Sequence, residues 1–214
     1  IVYYLPGRLL HTNVMGSALF AAVIGSSAAT TATVGKITTT ELLKRNYSKS
    51  LAFGSLAGAG SLGLLIPPSI VLIVYGVLAE VSISRLFAAG VYPGILIATL
   101  YSGYIMIRCL INPSLAPTLQ EKPTFKDIAF GLINLIPITV LIIIVLGSIY
   151  SGIATPSEAA AVGVLATLVL TVLTRQLSME VFLDSLMGAV RTSCMIASIL
   201  LAAAFLSTSM AFLH

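Results

Sequence analysis

Two adjacent prolines, Pro67 and Pro68, interrupt an apolar segment that runs from Leu51 to Leu78. Neither proline has a backbone N–H group, and each ring clashes with the preceding turn of a helix. The carbonyl groups that lose their helical partners cannot face lipid, so they must face protein, an ion or water. We therefore expect a membrane helix that is broken at this point, an arrangement that favours a binding site near the middle of a bilayer.

The composition supports the membrane interpretation. Hydrophobic residues make up 58% of the 214-residue chain and charged residues only 8%, whereas about 25% of the residues of a soluble domain are charged. We therefore predict an all-α integral membrane protein with several spans. The formal net charge is +4, but the basic residues are spread over loops, so nucleic acid is not an expected partner. Cys109 and Cys194 lie in separate apolar segments, and we expect both to be buried free thiols.

The first apolar region consists of two short arms, residues 13–24 and 28–39, on either side of Gly25, Ser26 and Ser27. Each arm has about 12 residues, whereas a complete crossing needs roughly 20. We therefore predict a re-entrant helical hairpin over about residues 13–45, which enters and leaves the membrane on one side.

Five longer apolar segments follow the hairpin, and the break at the two prolines lies in the first of them. They cover residues 50–78, 86–111, 128–150, 156–174 and about 190–213. Residues 112–127 are rich in proline and charge and predict an aqueous linker. Apolar and charged residues alternate over 178–189, which favours an interfacial amphipathic helix, although a helix packed on the cytoplasmic side is an equal alternative.

Basic residues predict the orientation. The order of the segments places essentially only Arg85 on one face and all the other loop cations on the opposite face. The latter are Arg8, Lys44, Arg45, Lys49, Arg108, Lys122, Lys126 and Arg175. The positive-inside rule assigns that face to the cytoplasm, together with the mouth of the hairpin.

The hairpin tip, residues 25–33, concentrates small and hydroxylated side chains. Carbonyl and hydroxyl oxygens, including those of Ser26 and Ser27, are suitable ligands for Na⁺, and the positive N-terminus of a half-helix suits a substrate carboxylate. An alternative is that small residues only permit close helix packing. Because the proline break is near in the sequence, we expect unpaired backbone groups from both elements to converge.

Within the break, we expect the carbonyl groups of Gly63 and Ile66 to lose their helical partners and to be candidates for cation binding. Ser69 either caps the following half-helix or contacts substrate.

Polar residues outside the tip and the break give weaker indications of a binding or catalytic site. Thr155, Pro156 and Glu158 form a capping box at the start of an apolar helix, although a proton or cation role for Glu158 stays open. Lys36 follows Ser27 in the second arm, but a Ser–Lys dyad is disfavoured, and no other pattern of catalytic residues is present. We therefore expect a protein that is not an enzyme.

Three runs of residues, 17–30 with Gly35, 63–70 and 152–163, carry a family resemblance. They resemble the large membrane subunit of tripartite ATP-independent periplasmic (TRAP) transporters, the DctM-type permease. This resemblance implies Na⁺-driven import of an organic acid (a dicarboxylate, keto acid or sugar acid) across the bacterial inner membrane by an elevator-like movement. It also implies two protein partners, a small four-helix membrane subunit (DctQ-type) and a periplasmic substrate-binding protein, with membrane lipids around the spans.

The resemblance also assigns roles to residues. It places Ser26, Ser27 and Thr30 in the hairpin tip and Gly63, Ile66 and Pro67 in the broken helix, with a cation site between them. Together with the chemistry of the residues themselves, the candidate substrate contacts are Ser26, Ser27, Thr30 and Ser69, and the candidate Na⁺ ligands are Ser26, Ser27, Gly63, Ile66 and Pro67. The runner-up interpretation is a stand-alone ion-coupled dicarboxylate carrier or antiporter that needs no binding protein.

The resemblance predicts the organisation of the chain as well. Residues 1–78 would be the transport-domain part of a first inverted repeat, residues 79–127 a transmembrane helix with a cytoplasmic linker, and residues 128–214 the start of a second repeat. The large subunit of the family is about twice as long, and no second Pro-Pro pair occurs here. We therefore expect a part of a longer protein, with the second repeat incomplete.

Overall fold

The structure, a computed structural model, describes residues 5–117 and 125–212, and the side chains of residues 125–130 lie outside that description. This part of the chain is helical and contains no strand, which confirms the predicted fold class. Its α-helices are α1 (His11–Ile24), α2 (Ser27–Lys44), α3 (Lys49–Gly60), α4 (Leu62–Leu65), α5 (Ile70–Leu78), α6 (Ile83–Ile111), α7 (Phe125–Tyr150), α8 (Pro156–Leu173) and α9 (Met179–Phe212). Two 3₁₀ turns, Arg8–Leu10 and Pro113–Leu115, precede α1 and follow α6.

Five segments of the described chain are long and apolar enough to cross a membrane, as predicted. They are Lys49–Leu78, which contains α3 to α5, and Ile83–Ile111, Gly131–Tyr150, Pro156–Leu173 and Met179–Phe212. The hairpin helices α1 and α2 are not among them, and Arg8–Ile24 is a shorter apolar helix. The hairpin itself is present, while its re-entrance and the inverted repeat stay predictions.

The first compact unit ends at Gly163, and the second begins at Val164. In the first unit, the hairpin packs on the broken helix and on α6 around one hydrophobic core. The buried members of this core are Leu10, Val14, Ala21, Leu42, Tyr47, Leu51, Ala52, Ala59, Leu62, Ile105 and Cys109. A smaller cluster of Phe87, Ile149 and Ala159 joins α6, α7 and the start of α8.

Hydrogen bonds join three loops at one end of the first unit. The Arg8 guanidinium donates to the Pro117 carbonyl at 3.1 Å, and the Ser48 N–H donates to the Leu115 carbonyl at 3.2 Å. The start of α1, the α2–α3 loop and the end of α6 therefore meet at the same end. This is the arrangement that a common cytoplasmic face requires of Arg8, Arg45 and Arg108, whereas Lys122 and the Lys126 side chain lie outside the described residues.

Two predictions concern the second half of the chain. The segment 178–189 is helical and leads into the last apolar segment within one helix, α9, which runs from Met179 to Phe212, while its interfacial position stays a prediction. No proline lies in that range to interrupt the backbone hydrogen bonds. Cys109 is buried as predicted, but Cys194 on α9 is exposed, since none of the residues described in α9 is buried. Residues 118–124 of the predicted linker 112–127 lie outside the described residues, and α7 begins within the linker at Phe125.

Candidate cation and substrate site

The hairpin tip is a two-residue turn. Gly25 ends α1 in the left-handed conformation, with φ 64° and ψ 13°, and its N–H donates to the Ala21 carbonyl. Ser26 is extended, with φ −131° and ψ 125°, and α2 begins at Ser27. No side chain caps α2. The first N–H groups of this helix are therefore available to a ligand at its positive end.

The break in the second element is four residues long. It starts at Ile66, which is extended with φ −75° and ψ 121°, and α5 begins at Ile70. The peptide bond between Pro67 and Pro68 is cis. Within the described chain, the carbonyl groups of Gly63, Ile66 and Pro67 accept no hydrogen bond. The prediction that Gly63 and Ile66 lose their helical partners is confirmed.

The tip and the break touch each other through their backbones. The Ile70 N–H donates to the Gly25 carbonyl at 3.2 Å. A Cβ atom added to Gly25 would lie 2.6 Å from the Pro68 oxygen, and one added to Gly63 would lie 2.9 Å from the Ser27 nitrogen. Only glycine permits such approaches. The two elements therefore meet through their backbones, while the convergence of their unpaired groups on one ligand stays a prediction.

A third glycine brings α3 against the first turns of α2. A Cβ atom added to Gly60 would overlap the Thr31 hydroxyl oxygen. Thr31 in turn donates that hydroxyl to the Ser27 carbonyl at 2.8 Å. The helix that leads into the break is thus fixed against the helix that leaves the tip.

Two glycines of α6 lie against the residues at the break, and they were not identified from the sequence. A Cβ atom added to Gly90 would lie 2.7 Å from the Leu65 oxygen, and one added to Gly94 would lie 2.9 Å from a side-chain carbon of Ile66. These glycines are four residues apart and therefore share a face of α6. Their small-xxx-small spacing, which is typical of close helix contacts in membranes, could have identified them.

The predicted hydroxyl ligands of the hairpin differ in their burial. Ser26 and Ser27 are half-buried at the tip, against Gly63. Thr30 is fully buried one turn into α2, and its hydroxyl has no partner among the described residues. Leaving a buried hydroxyl unpaired costs about 1–3 kcal/mol, which water or an ion would recover.

Ser69 does not cap α5, so the capping alternative is wrong. Its hydroxyl donates at 2.8 Å to the Leu64 carbonyl on the other side of the break, and no side chain caps this helix. Ser69 is 0% exposed. The Ser69 side chain therefore joins the two sides of the break and does not cap the N-terminus of α5.

Two further polar residues of α1 were also missed by sequence reasoning. Asn13 is fully buried and donates its side-chain N–H groups to the Ala52 carbonyl at 3.0 Å and to the Ser55 hydroxyl at 2.8 Å. These bonds tie the first hairpin arm to α3. Ser17 lies one turn later with a buried hydroxyl that has no described partner. A polar residue within a short apolar arm was the available signal.

The donor atoms at this site are neutral oxygens. Unwound backbone carbonyls and hydroxyls are the groups that hold Na⁺ in broken membrane helices. In the described residues, no group of three or more His, Cys, Asp or Glu side chains could hold a metal ion. The donor atoms of the tip and break are therefore of the type that suits a hard monovalent cation.

The structure describes the settings of Glu158 and Lys36, the two other polar positions considered from the sequence. Glu158 accepts from the Thr155 N–H and hydroxyl, both at 2.8 Å, and its own N–H donates to the Thr155 hydroxyl at 3.4 Å. This is the predicted capping box at the start of α8. Lys36 and Ser27 lie nine residues apart on one helix, about 13 Å along its axis, so they cannot form a dyad.

Comparison with known proteins gives one family. Residues 4–214 match the family model of the tripartite ATP-independent periplasmic transporter, DctM component. The chain is 37% identical over 171 residues to the C4-dicarboxylate TRAP transporter large permease protein DctM of Vibrio cholerae, covering 76% of this chain and 35% of that relative.

Two relatives with other substrates in their names show similar identity. The sialic acid TRAP transporter large permease protein SiaM of Vibrio cholerae is 33% identical over 200 residues, covering 92% of this chain and 46% of that relative. The ectoine/5-hydroxyectoine TRAP transporter large permease protein UehC of Ruegeria pomeroyi is 36% identical over 172 residues, covering 80% and 40%. The chain therefore spans less than half the length of these relatives.

Proposed function

Because this chain belongs to the DctM-component family of TRAP transporters, we propose that it forms part of a Na⁺-coupled permease that imports organic acids. The family consists of transporter permeases and not of enzymes. Its members and the five apolar segments make this a multi-pass protein of the bacterial inner membrane. We propose Na⁺ as the coupling ion, an organic acid as the substrate and two further proteins as the partners.

One observation carries the proposal, namely the contact between the hairpin tip and the proline break. Na⁺ is held by the hydroxyls of Ser26 and Ser27 and by the backbone carbonyls of Gly63, Ile66 and Pro67. The three carbonyls have no described partner, and the two serines lie against Gly63. Bound Na⁺ would supply the positive charge that this set of neutral oxygens lacks.

The substrate carboxylate binds beside this cation, at the uncapped N-terminus of α2. Free N–H groups and the helix dipole favour an anion there, and Ser26, Ser27 and Thr30 add hydroxyl donors. Ser69 contributes by its bond to Leu64, which holds the break in the shape that the ligands need. Because the two ligands share the tip, binding of one raises the affinity for the other, and this reciprocal effect is the basis of coupling.

The proposed movement is of the elevator type. The hairpin and the broken helix are joined by glycine contacts at three positions, namely Gly25, Gly60 and Gly63, and by the bonds of Asn13. Interfaces this close do not slide over each other without losing their contacts. We therefore expect α1 to α5 to move as one body that carries its ligands.

The proposed partners are a small four-helix membrane subunit and a periplasmic binding protein that delivers the substrate. The names of the relatives contain C4-dicarboxylate, sialic acid and ectoine, and each of these compounds carries a carboxylate. We propose a small organic acid of this general class as the substrate.

The test is uptake into proteoliposomes that contain the intact permease and its small subunit. A panel of radiolabelled organic acids is offered with or without the binding protein and with Na⁺ or choline outside. The proposal predicts uptake that requires both Na⁺ and the binding protein. Uptake without the binding protein would favour the stand-alone carrier or antiporter instead.

A pair of variants links uptake to the tip. We expect Ser26→Ala combined with Ser27→Ala to raise the Na⁺ concentration required for half-maximal uptake by about tenfold or more, since each lost ligand costs roughly 1 kcal/mol. The matched control is Ser198→Ala on α9, where the hydroxyl bonds only to its own helix. Equal Na⁺ dependence in both proteins would remove the tip from the site.

A further inference from the structure

A cavity of about 320 Å³ lies between the beginning of α3 and the last turns of α6. Its polar lining comes from Ser48, Ser50 and Ser55 and from Tyr101, Tyr104 and Arg108. The α3 residues that line it end at Ser55, and the break starts 11 residues later at Ile66, about 16 Å away at the rise of a helix. It is therefore distinct from the cation and substrate site.

The position of the cavity is at a membrane boundary. One candidate span begins at Lys49, beside Ser48 and Ser50, and another ends at Ile111, one turn after Arg108. The Ser48 N–H donates to the Leu115 carbonyl, and this bond joins the α2–α3 loop to the 3₁₀ turn after α6. Groups at this depth in a bilayer meet lipid headgroups and not acyl chains.

The described lining carries one positive charge. The Arg108 guanidinium forms no ion pair or hydrogen bond within residues 5–117 and 125–212, and no acidic residue of that part of the chain lines the cavity. The first turn of α3 contributes N–H groups, since no side chain caps this helix. The hydroxyls of Ser48 and Ser50 lie at this end of the helix, whereas the Ser55 hydroxyl already donates to the Ala52 carbonyl. A guanidinium, hydroxyls and helix N–H groups together are the donors that bind phosphate.

The remaining lining is apolar. Leu51, Ile105 and Leu115 complete the wall, and the volume greatly exceeds the roughly 30 Å³ of one water molecule. We propose that this cavity binds the phosphate group of an anion, in the bilayer that of an anionic phospholipid whose glycerol region contacts the apolar wall. Basic pockets between membrane helices bind headgroups in this way.

The test is native mass spectrometry of the intact permease with its small subunit, loaded with phosphatidylglycerol or with phosphatidylcholine. We expect retained phosphatidylglycerol in the wild-type protein and about fivefold weaker retention in Arg108→Gln, since one arginine near the surface contributes about 1 kcal/mol. Arg85→Gln is the matched control, because Arg85 is exposed on the same helix at the opposite end. It should retain the lipid fully.

A second variant and a second anion sharpen the result. Ser50 is exposed, so Ser50→Ala should fold normally and lose roughly two- to threefold in lipid retention, as expected for a neutral hydrogen bond. If instead inorganic phosphate binds with the same dependence on Arg108 and displaces the lipid, the cavity is a phosphate site for a soluble anion. Equal lipid retention in Arg108→Gln and Arg85→Gln, without binding of inorganic phosphate, would overturn the proposal.

Discussion

The hairpin with its broken helix and the long helix α9 are both apolar, but their residues are used differently. In the hairpin region, polar side chains such as Asn13, Thr30 and Ser69 are fully buried, and glycines allow backbones to touch. In α9, none of the described residues is buried, and a Cβ atom added to Gly188 would meet nothing within 4 Å. Each region is apolar enough for a membrane, yet only the first contains close contacts between backbones.

Within the described chain, the close contacts between elements are therefore concentrated at the hairpin and the break. Lipid tails are as apolar as leucine, so hydrophobicity alone does not hold helices together within a bilayer. The hairpin and the break are held instead by close packing and by hydrogen bonds between elements. The surface of α9 is suited to contact with lipid or another protein. Substitutions of the same kind should therefore have large effects in the first region and small effects in the second.

The largest effect is expected for Gly25→Ala. Alanine would be forced to φ 64°, which costs about 1–2 kcal/mol, and its Cβ would press on the Pro68 oxygen at 2.6 Å, which adds about 1–3 kcal/mol. We expect the free energy of unfolding in mixed micelles to fall by about 2–5 kcal/mol in total. Gly188→Ala in α9 should change it by less than about 1 kcal/mol, and equal effects would contradict the comparison.

The second effect concerns the bonds between α1 and α3. Asn13→Ala removes two donors, at 3.0 Å and 2.8 Å from their acceptors, and we expect a loss of about 1–3 kcal/mol of unfolding free energy. The control is Asn134→Ala on α7, where the side chain is exposed and the expected change is within about 0.5 kcal/mol. A small effect at Asn13 would mean that packing alone joins the two helices.

The third effect tests how the break is closed. Ser69→Ala removes the bond to the Leu64 carbonyl and should cost about 1 kcal/mol. Ser198→Ala in α9 removes a hydroxyl that bonds at 2.8 Å to the Cys194 carbonyl of the same helix, and we expect almost no change. Similar results for the two serines in the same unfolding assay would show that the Ser69 bond does not stabilise the break.

The smallest effect is expected at the capping box that begins α8. Thr155→Ala removes the two bonds that the Thr155 hydroxyl makes with Glu158 in the capping box and should destabilise α8 by about 0.5–1 kcal/mol. Ser157→Ala, in the first turn of the same helix, is the control. A strong loss of uptake with unchanged stability in Thr155→Ala would instead give this box a role in transport.

Much of the fold follows from the sequence because the membrane permits few alternatives. Runs of about 20 apolar residues predict spans, and the prolines at 67 and 68 fix where the second element breaks. Gly25 marks the end of the first hairpin arm, since glycine readily adopts the left-handed conformation that ends a helix. These signals are local, so a single sequence contains them.

The parts that were missed depend on contacts between distant residues. Nothing near Ser69 indicates that its hydroxyl bonds back across the break to Leu64, because an N-terminal serine is more often a cap. The contacts of Gly90 and Gly94 with the break depend on how α6 crosses it. The exposure of Cys194 was missed because burial depends on what packs against α9, and none of the residues described in that helix is buried.

The central claim is that the tip and the break form one Na⁺ site, and thermal unfolding of the intact permease tests it most directly. The midpoint is measured while choline is replaced by Na⁺ at constant ionic strength, for the wild-type protein and for the protein with Ser26→Ala and Ser27→Ala. A ligand that binds only the folded state raises its stability by an amount set by its concentration and Kd. We predict a Na⁺-dependent rise for the wild-type protein that requires about tenfold more Na⁺ in the variant. The same rise in both proteins, or none in the wild type, would contradict the claim.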